Sequence, residues 1–274
     1  MPYVELLAAA TAAAEAGAAV LRHHFRRAGL LVEEKAKNDY VTEADRESER
    51  TVTSELRSRF PDHRIVGEEG GSSGGRGAAG ELTWLIDPLD GTTNFVQGLP
   101  IFAVSIACLE GNRPVAGVIL DPVGRHLFRA TRGGGAFLDG ERLAVSARRG
   151  LDGSFLATGY PFRALGALDL YLGIFRDALR QARAIRRCGA AALDLAYTAA
   201  GVYDGFFELR LSAWDIAAGA LLVEEAGGAV SDFDGGDGYL ASGNVLAGGI
   251  PVHRELLALI HGHASEERVA RLAR

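Results

Sequence analysis

The chain has 274 residues, of which 48% are hydrophobic and 23% are charged. This length and composition predict a folded protein with a substantial buried core and exclude a disordered chain. The formal net charge is −6, and no long basic run interrupts it. We therefore expect no nucleic-acid partner, because binding a phosphate backbone needs clustered Lys and Arg. An anionic substrate would need metal ions to supply positive charge.

The N-terminal stretch predicts an amphipathic, Ala-rich helix and not a signal peptide or a membrane span. It lacks a basic start and meets Glu5 and Glu15 early. Cys108 and Cys188 lack CxxC spacing, which favours free thiols in a reducing cytosol over a disulfide. We expect a cytoplasmic protein with no membrane partner.

Helical and strand-like segments occur in blocks and do not alternate strictly, which favours a layered α+β architecture with mixed or antiparallel sheets. Helical periodicity marks Val4 to Phe25, Glu43 to Phe60, Leu168 to Gln181, Ala190 to Val202, Ile216 to Glu225 and Pro251 to His261. Strand-like runs are Thr83 to Ile86, Phe102 to Leu109, Pro114 to Leu120, His126 to Ala130, Phe155 to Thr158, Phe206 to Leu211 and Val245 to Ala247.

Two segments indicate how the chain is divided. Residues 68–81 are rich in Gly and Ser and predict a mobile loop, but no Gly-Lys-Ser or Gly-Lys-Thr ends them as in a Walker loop. A softer boundary lies near Ser146 to Gly153. We predict one domain over residues 1–274, with approximate halves 1–145, holding the acidic motifs, and 146–274.

The segment WLIDPLDGTTNF gathers charge at the end of a strand. Asp87 and Asp90 flank a turn fixed by Pro88, so their carboxylates and the Leu89 carbonyl can converge on hard cations such as Mg²⁺. Gly91 and the threonines after it would open a helix whose N–H groups can bind an anion. Pro88, two positions before Asp90, is no nucleophile, which excludes the covalent aspartyl route of haloacid-dehalogenase-type phosphatases here.

The alternative for this segment is purely structural, with Asp90 capping a short helix and Asp87 ending a strand. Other acids occupy similar positions elsewhere in the chain. Glu68 and Glu69 end an apolar run, Asp45 follows Thr42 at a helix start, and Asp215 heads a further helix. Thr42 and Asp45 also fit a capping box, so a structural role stays open for Asp45.

Taken together, these motifs resemble the inositol monophosphatase family of Mg²⁺-dependent, lithium-sensitive phosphatases. The matching segments are GEE at 67–69, DPLDGT at 87–92 and WDIAAG at 214–219, extended by DYVTEAD at 39–45 and EEAGG at 224–228. The resemblance spans nearly the whole chain. It implies a layered αβαβα sandwich of the sugar-phosphatase type with mixed or antiparallel sheets, and a homodimer.

The resemblance implies two or three Mg²⁺ ions. Glu68, Asp87 and the Leu89 carbonyl would hold the first ion, and Asp87, Asp90 and Asp215 the second. A weaker third ion would associate through water near Glu68. Mg²⁺ prefers such a site, with few carboxylates completed by water and phosphate oxygens.

The resemblance also implies catalytic and binding roles. Thr92 and Asp45 would position the attacking water and Glu68 would orient or deprotonate it, while Gly91 and Thr92 would bind phosphate. The implied substrate contacts are Asp90, Glu208, Gly189 and Ala190. An exposed strand glutamate is an equal alternative for Glu208, and helix-start packing is an equal one for the small residues at 189–192. Lys35 and Lys37 are expected on a solvated hairpin.

The expected function is a Mg²⁺-dependent phosphomonoesterase that hydrolyses inositol monophosphate or a related polyol or sugar phosphate. Relatives in the superfamily hydrolyse fructose 1,6-bisphosphate, histidinol phosphate or 3′-phosphoadenosine 5′-phosphate, and these substrates stay open. A second alternative is a regulatory or scaffold protein that keeps the fold and binds a partner protein. The presence of every implied ligand and of Thr92 argues against loss of activity.

Overall fold

A computed structural model describes residues 3–36, 39–75 and 81–272. The helices are α1 (Val4–His24), α2 (Glu43–Arg59), α3 (Thr92–Val96), α4 (Leu168–Gln181), α5 (Ala191–Ala199), α6 (Ala213–Glu225), α7 (Tyr239–Ser242) and α8 (Ile250–Leu272), with a 3-10 helix at Phe162–Ala167. The strands are β1 (Val32–Ala36), β2 (Asp39–Thr42), β3 (Arg64–Gly67), β4 (Gly71–Ser73), β5 (Leu82–Asp90), β6 (Ala103–Glu110), β7 (Arg113–Leu120), β8 (Leu127–Thr131), β9 (Gly135–Leu138), β10 (Glu141–Arg142), β11 (Phe155–Thr158), β12 (Ala184–Arg186), β13 (Gly205–Glu208), β14 (Ala229–Ser231) and β15 (Val245–Gly248).

Two large sheets organise the chain. The first has eight strands in the order β10-β9-β8-β7-β6-β5-β3-β4 and is antiparallel except where β3 runs parallel to β5. The second has five strands in the order β12-β11-β13-β15-β14. In it β11 is parallel to both its neighbours, whereas β15 is antiparallel to β13 and β14. β1 and β2 form a separate hairpin. The predicted mixed and antiparallel sheets are confirmed.

Three buried clusters show how the layers stack. The first joins α1 and α2 to one face of the eight-stranded sheet through side chains such as Leu21, Leu56 and Trp84. The second fills the space between the two sheets with α5 and α6, for example Leu195 and Leu221. The third packs α4 and α8 on the far face of the five-stranded sheet. The order is therefore helices, sheet, helices, sheet, helices, and the αβαβα prediction is confirmed.

The first helix is long and apolar enough to cross a membrane by length and composition, and it alone meets that test within the described ranges. Of its most apolar window, 44% is buried inside the protein. Ala10, Ala14 and Leu21 are fully buried, and the helix packs on α2 and β7. Core packing thus accounts for this apolar face.

The six helices expected from periodicity all occur, five of them within three residues at their ends, whereas α8 continues to Leu272, eleven residues past the expected end at His261. The structure also contains several short strands that the sequence did not predict. One of them lies in the Gly-rich segment, which was expected to be a mobile loop. Its residues Gly71–Ser73 form β4, which pairs antiparallel with β3. Part of the segment expected to be mobile is therefore an edge strand, and residues 76–80 lie outside the described part of the chain. The division into halves at 145 and 146 stays a prediction.

Candidate functional site

A bulge at the end of β5 brings Asp87 and Asp90 to the same side of the sheet. Asp87 pairs with Ser105 and Asp90 with Ala103, so three steps along β5 match two along β6. Without the additional residue, side chains three positions apart would point to opposite faces. The Leu89 N–H donates to Asp87 Oδ1 at 3.0 Å and closes the turn. The predicted convergence around Pro88 thus has a backbone cause.

These two acids line a cavity of about 540 Å³ that lies between the sheets. Acids from three other segments reach the same cavity. Almost every residue expected at the site lines it: Glu68, Asp87, Leu89, Asp90, Gly91, Thr92, Gly189, Ala190, Glu208 and Asp215. Asp45 is the exception, since it lies behind Thr92. The structure therefore brings together residues that are far apart in sequence.

The buried carboxylates of this cavity repel one another. Burial, followed by the charges of Glu68, Asp90 and Asp215, raises the pKa of Asp87 well above its ordinary value. Burial and the Asp215 charge likewise raise the pKa of Asp90. Such repulsion is relieved by a proton or by a cation. The donor set therefore fits hard divalent ions, which bind carboxylate and carbonyl oxygens.

The carboxylates do not form a closed cage as they lie. Within the described ranges, no three His, Cys, Asp or Glu side chains are grouped so that they could hold one metal ion. The acids nevertheless line one cavity, and burial together with the charges of Glu68 and Asp215 raises the pKa of both Asp87 and Asp90. What fits a divalent ion is thus the chemistry of the donors and not a preformed coordination sphere, as expected when water and substrate supply further ligands.

Lys35 bridges the two glutamates that follow β3. Its Nζ donates to Glu68 Oε1 at 3.1 Å and to Glu69 Oε1 at 2.7 Å. Burial lowers the pKa of Lys35, but the hydrogen bonds and charges of the two glutamates outweigh it and raise the pKa overall. Lys35 lies on the β1–β2 hairpin and is exposed, as expected, but its ammonium group also forms ion pairs with these two half-buried glutamates. Lys37 lies outside the described residues.

Asp45 caps α2 with one carboxylate oxygen and contacts Thr92 of the site with the other. Its Oδ2 accepts from the Thr42 N–H at 2.8 Å, completing the capping box of α2. Its Oδ1 accepts from Thr92 Oγ1 at 3.1 Å, a hydroxyl that also lies 3.0 Å from the Leu89 carbonyl. Burial, partly offset by the Thr42 hydrogen bonds, raises the pKa of Asp45 to about 6. The two alternatives for Asp45 are thus compatible.

Asp215 is held in a similar way at the start of α6. The Ser212 N–H donates to Asp215 Oδ2 at 2.8 Å in a second capping box. Ser105 Oγ on β6 donates to the Trp214 carbonyl at 3.2 Å, which ties the start of the helix to the eight-stranded sheet. The acid is 6% exposed and lines the cavity.

Asn94 joins the turn after β5 to the opposite wall of the cavity. Its Nδ2 lies 2.8 Å from the Ile101 carbonyl and 2.9 Å from the Cys188 carbonyl. α3 begins after Gly91, whose φ of +91° is in the left-handed region and whose added Cβ would lie 2.9 Å from the Ile101 carbonyl. Glycine is needed at this position on both counts. The expected helix start after Gly91 is confirmed.

Glu208 ends β13 and lines the cavity. Its side chain is half-buried, so the alternative of an exposed strand glutamate does not describe it.

The sequence analysis missed an exposed aromatic pair at the mouth of the cavity. The Arg187 guanidinium lies 5.0 Å from the Tyr160 ring centre and 5.2 Å from that of Phe162. It also missed Glu49, a buried acid of α2. No sequence pattern links these residues to the acidic motifs, because only the fold brings them close together.

The chain is similar to proteins named Nus factor SuhB. The relative from Pseudomonas aeruginosa is 51% identical over 254 residues, which cover 92% of this chain and 94% of the relative. Relatives from other species carry the same name. That name assigns them to transcription, where RNA polymerase and nucleic acid take part. The expectation of no nucleic-acid partner is therefore wrong: a net charge of −6 averages over the surface and does not describe a single face or a contact made through another protein.

Solved structures agree in fold. The extragenic suppressor protein suhB of Bartonella henselae has 40% identity and a TM-score of 0.89, covering 93% of this chain and 98% of its own. The inositol monophosphatase from Anabaena (Nostoc) sp. PCC 7120 has 35% identity and a TM-score of 0.85, with coverage of 96% and 97%. The profile of the inositol monophosphatase family matches residues 3–268. The chain therefore belongs to the inositol monophosphatase family.

Proposed function

We propose that this protein is a Mg²⁺-dependent phosphomonoesterase that hydrolyses inositol monophosphate or a related polyol or sugar phosphate. The observation that carries the proposal is the meeting of Glu68, Asp87, Asp90 and Asp215 in one cavity. A protein gains no stability from gathering buried like charges, since their repulsion raises the cost of folding. Binding of cations and an anionic substrate gives that arrangement a purpose.

The ion-holding groups are those implied by the family resemblance, and all of them line the cavity. Glu68, Asp87 and the Leu89 carbonyl would hold one ion, and Asp87, Asp90 and Asp215 a second, with a third associated near Glu68. Bound Mg²⁺ would activate water for attack on phosphorus and neutralise charge on the phosphate and leaving oxygens. Because Asp87 is shared, loss of its charge would affect both ions.

The chain's own groups would orient the nucleophilic water. Glu68 has a carboxylate at the cavity wall and would orient the water or accept its proton. The Thr92 hydroxyl, held by Asp45 at 3.1 Å, would fix the direction from which the water approaches. With its one proton donated to Asp45, Thr92 Oγ1 keeps lone pairs to accept from a water O–H. No phosphoenzyme is needed, because the oriented water would itself be the nucleophile.

The substrate would lie between the turn after β5 and the opposite wall. The Gly91 and Thr92 N–H groups at the start of α3 would bind the phosphate. Asp90 and Glu208 would accept hydrogen bonds from hydroxyl groups of the polyol. Gly189 and Ala190 add little bulk to the wall, so they leave room for a ring.

A substrate panel tests this proposal. We expect release of phosphate from inositol 1-phosphate with Mg²⁺, and a comparison of kcat/KM with fructose 1,6-bisphosphate, histidinol phosphate and 3′-phosphoadenosine 5′-phosphate ranks the alternatives. Asp90→Asn keeps an acceptor for the Ala192 N–H, now 2.8 Å from Asp90 Oδ2, but removes the charge. We expect it to lower kcat/KM by about 100-fold or more while the protein stays folded. Equal activity in the variant would refute the assigned site.

A regulatory role is the second candidate, and the name Nus factor SuhB of the relatives favours it. In this reading the protein binds a partner in transcription through its surface, with or without phosphatase activity. Asp90→Asn separates the two functions, since its change is inside the cavity. A variant that loses phosphate release but keeps a transcription phenotype would support the second role.

Two further features belong to the proposal. We expect a cytoplasmic protein, consistent with two free cysteines. We also expect a homodimer, which the exposed apolar side chains near α4 support. These are Tyr160, Phe162, Leu165, Leu168 and Leu172. Light scattering of the purified protein measures the mass, and a monomer at all concentrations would contradict the dimer.

A further inference from the structure

A buried carboxylate on α2 contacts the turn that carries the two glutamates. Glu49 is 7% exposed. Its Oε2 accepts from the Glu69 N–H at 2.8 Å and its Oε1 accepts from the Gly70 N–H at 2.6 Å. Hydrogen bonds to an ionised acceptor are about twice as strong as neutral ones. Both oxygens of one side chain are thus used on two consecutive amides of this turn.

The close approach of Glu49 needs residues without a side chain in the turn. A Cβ added at Gly70 would lie 2.5 Å from Glu49 Oε1, and one at Gly67 would lie 2.5 Å from Oε2. Neither glycine has a left-handed φ, so the need is for space and not for conformational freedom. The sequence Gly-Glu-Glu-Gly thus matches the carboxylate that sits against it.

Glu68 is held on two sides. Its N–H donates to the Ile86 carbonyl of β5 at 3.2 Å, which places it next to Asp87. On the other side, the amides of the next two residues are held by Glu49. Between these contacts the backbone of Glu68 has little freedom, although it leaves β3 at Gly67 and the edge strand β4 begins only at Gly71.

We infer that Glu49 is a positioning residue, which fixes the turn after β3 so that the Glu68 carboxylate stays at the cavity wall. Glu49 does not line the cavity and would not touch substrate. The inference rests on the proposed function for the use of Glu68 in Mg²⁺ binding. A residue that orients a ligand in this way typically contributes about 10-fold to 100-fold to metal affinity or activity.

Two variants and one control test the inference. Glu49→Gln keeps the shape but can offer only one acceptor to the two amides. Gly70→Ala leaves the Glu49 charge intact and disturbs the contact from the turn, so it decides the question if Glu49→Gln fails to fold. Glu55→Gln is the control, because Glu55 lies on the same helix and makes no side-chain hydrogen bond to the turn in the described contacts.

The readouts do not depend on catalysis. We expect hydrogen exchange of the amides of residues 68–71 to speed up, and the Mg²⁺ dissociation constant from calorimetry without substrate to rise about 10-fold. If phosphatase activity is present, saturating Mg²⁺ should restore most of kcat. Glu55→Gln should leave all of these unchanged. A wild type that binds Mg²⁺ but hydrolyses no phosphomonoester would refute the proposed function and leave this inference standing.

Two outcomes would overturn the positioning role. The first is amide exchange and Mg²⁺ affinity in Glu49→Gln and Gly70→Ala equal to those of Glu55→Gln. The second is a fall in melting temperature with unchanged Mg²⁺ affinity in the variants, which would make Glu49 a residue of general stability only.

Discussion

Asn94→Asp is the most informative single substitution outside the acids. The side chain is 9% exposed, and its Nδ2 lies near three carbonyl oxygens, of Ile101, Cys188 and Gly189, at 2.8, 2.9 and 3.4 Å. These acceptors fix the amide orientation, because only the NH₂ end can face them. The substitution keeps the shape of the side chain and replaces two donors by an oxygen.

The magnitude follows from the groups left unpaired. Asn94→Ala removes two short hydrogen bonds, and each buried carbonyl without a partner costs about 1–3 kcal/mol, so we expect a loss of about 2–6 kcal/mol in the free energy of unfolding. Asn94→Asp should cost more at pH 8, because a carboxylate would face carbonyl oxygens. The pKa of that introduced carboxyl is raised in the folded state. The additional loss is therefore present at high pH and disappears as the pH falls towards 4.

Urea unfolding between pH 4 and pH 8 measures both effects, and the exposed Asn112→Asp is the matched control. We also expect KM to rise more than kcat falls, since Asn94 anchors the segment with Gly189 and Ala190 at the cavity wall. If Asn94→Ala and Asn94→Asp lose the same stability at every pH, Nδ2 does not face the carbonyls and the reasoning fails.

Three further predictions concern the same site. Asp45, whose pKa is raised to about 6 by burial, binds its proton more tightly in the folded state, so its charge costs little below pH ~4 and up to about 3 kcal/mol above pH ~6. The stability of metal-free Asp45→Asn relative to wild type should thus rise with pH in urea titrations, and a flat difference would contradict the raised pKa. Gly91→Ala should lose about 1–3 kcal/mol in thermal unfolding through its left-handed backbone, and an unchanged melting temperature would refute this. Li⁺ should inhibit phosphate release in the millimolar range, and activity unaltered by tens of millimolar Li⁺ would count against it.

Local patterns were sufficient to predict the long helices and the main acidic residues. The apolar periodicity of α1 and α2 follows from one face that must be buried, and the continuous apolar runs of β6 and β7 follow from burial on both faces of the sheet. The Asp-Pro-Leu-Asp-Gly spacing indicated a turn with two converging acids, and the β5 bulge agrees. Recognition of the order of the layers needed the family resemblance, because local patterns do not say which helix lies between the sheets.

Other features depended on contacts between distant segments. Lys35 contacts Glu68 and Glu69 across more than thirty residues of sequence, and its own surroundings read as a polar hairpin. Arg187 joins Tyr160 and Phe162 only after α5 and the second sheet are placed. The transcription link of the relatives has no local motif here, because the net charge on which the contrary expectation rested is a whole-chain quantity.

Asp45 and the three aspartates that line the cavity each combine a backbone hydrogen bond with a place at the site. Each spends one oxygen on a backbone N–H: Asp45 on Thr42, Asp87 on Leu89, Asp90 on Ala192 and Asp215 on Ser212. The backbone hydrogen bond anchors each carboxylate, and in Asp45 the other oxygen accepts from Thr92. Asparagine can keep such a cap while removing the charge, whereas alanine removes both. Loss of activity in asparagine variants that stay folded therefore measures the effect of the charge alone. In alanine variants the effect of the lost charge cannot be separated from that of the lost helix cap or turn contact.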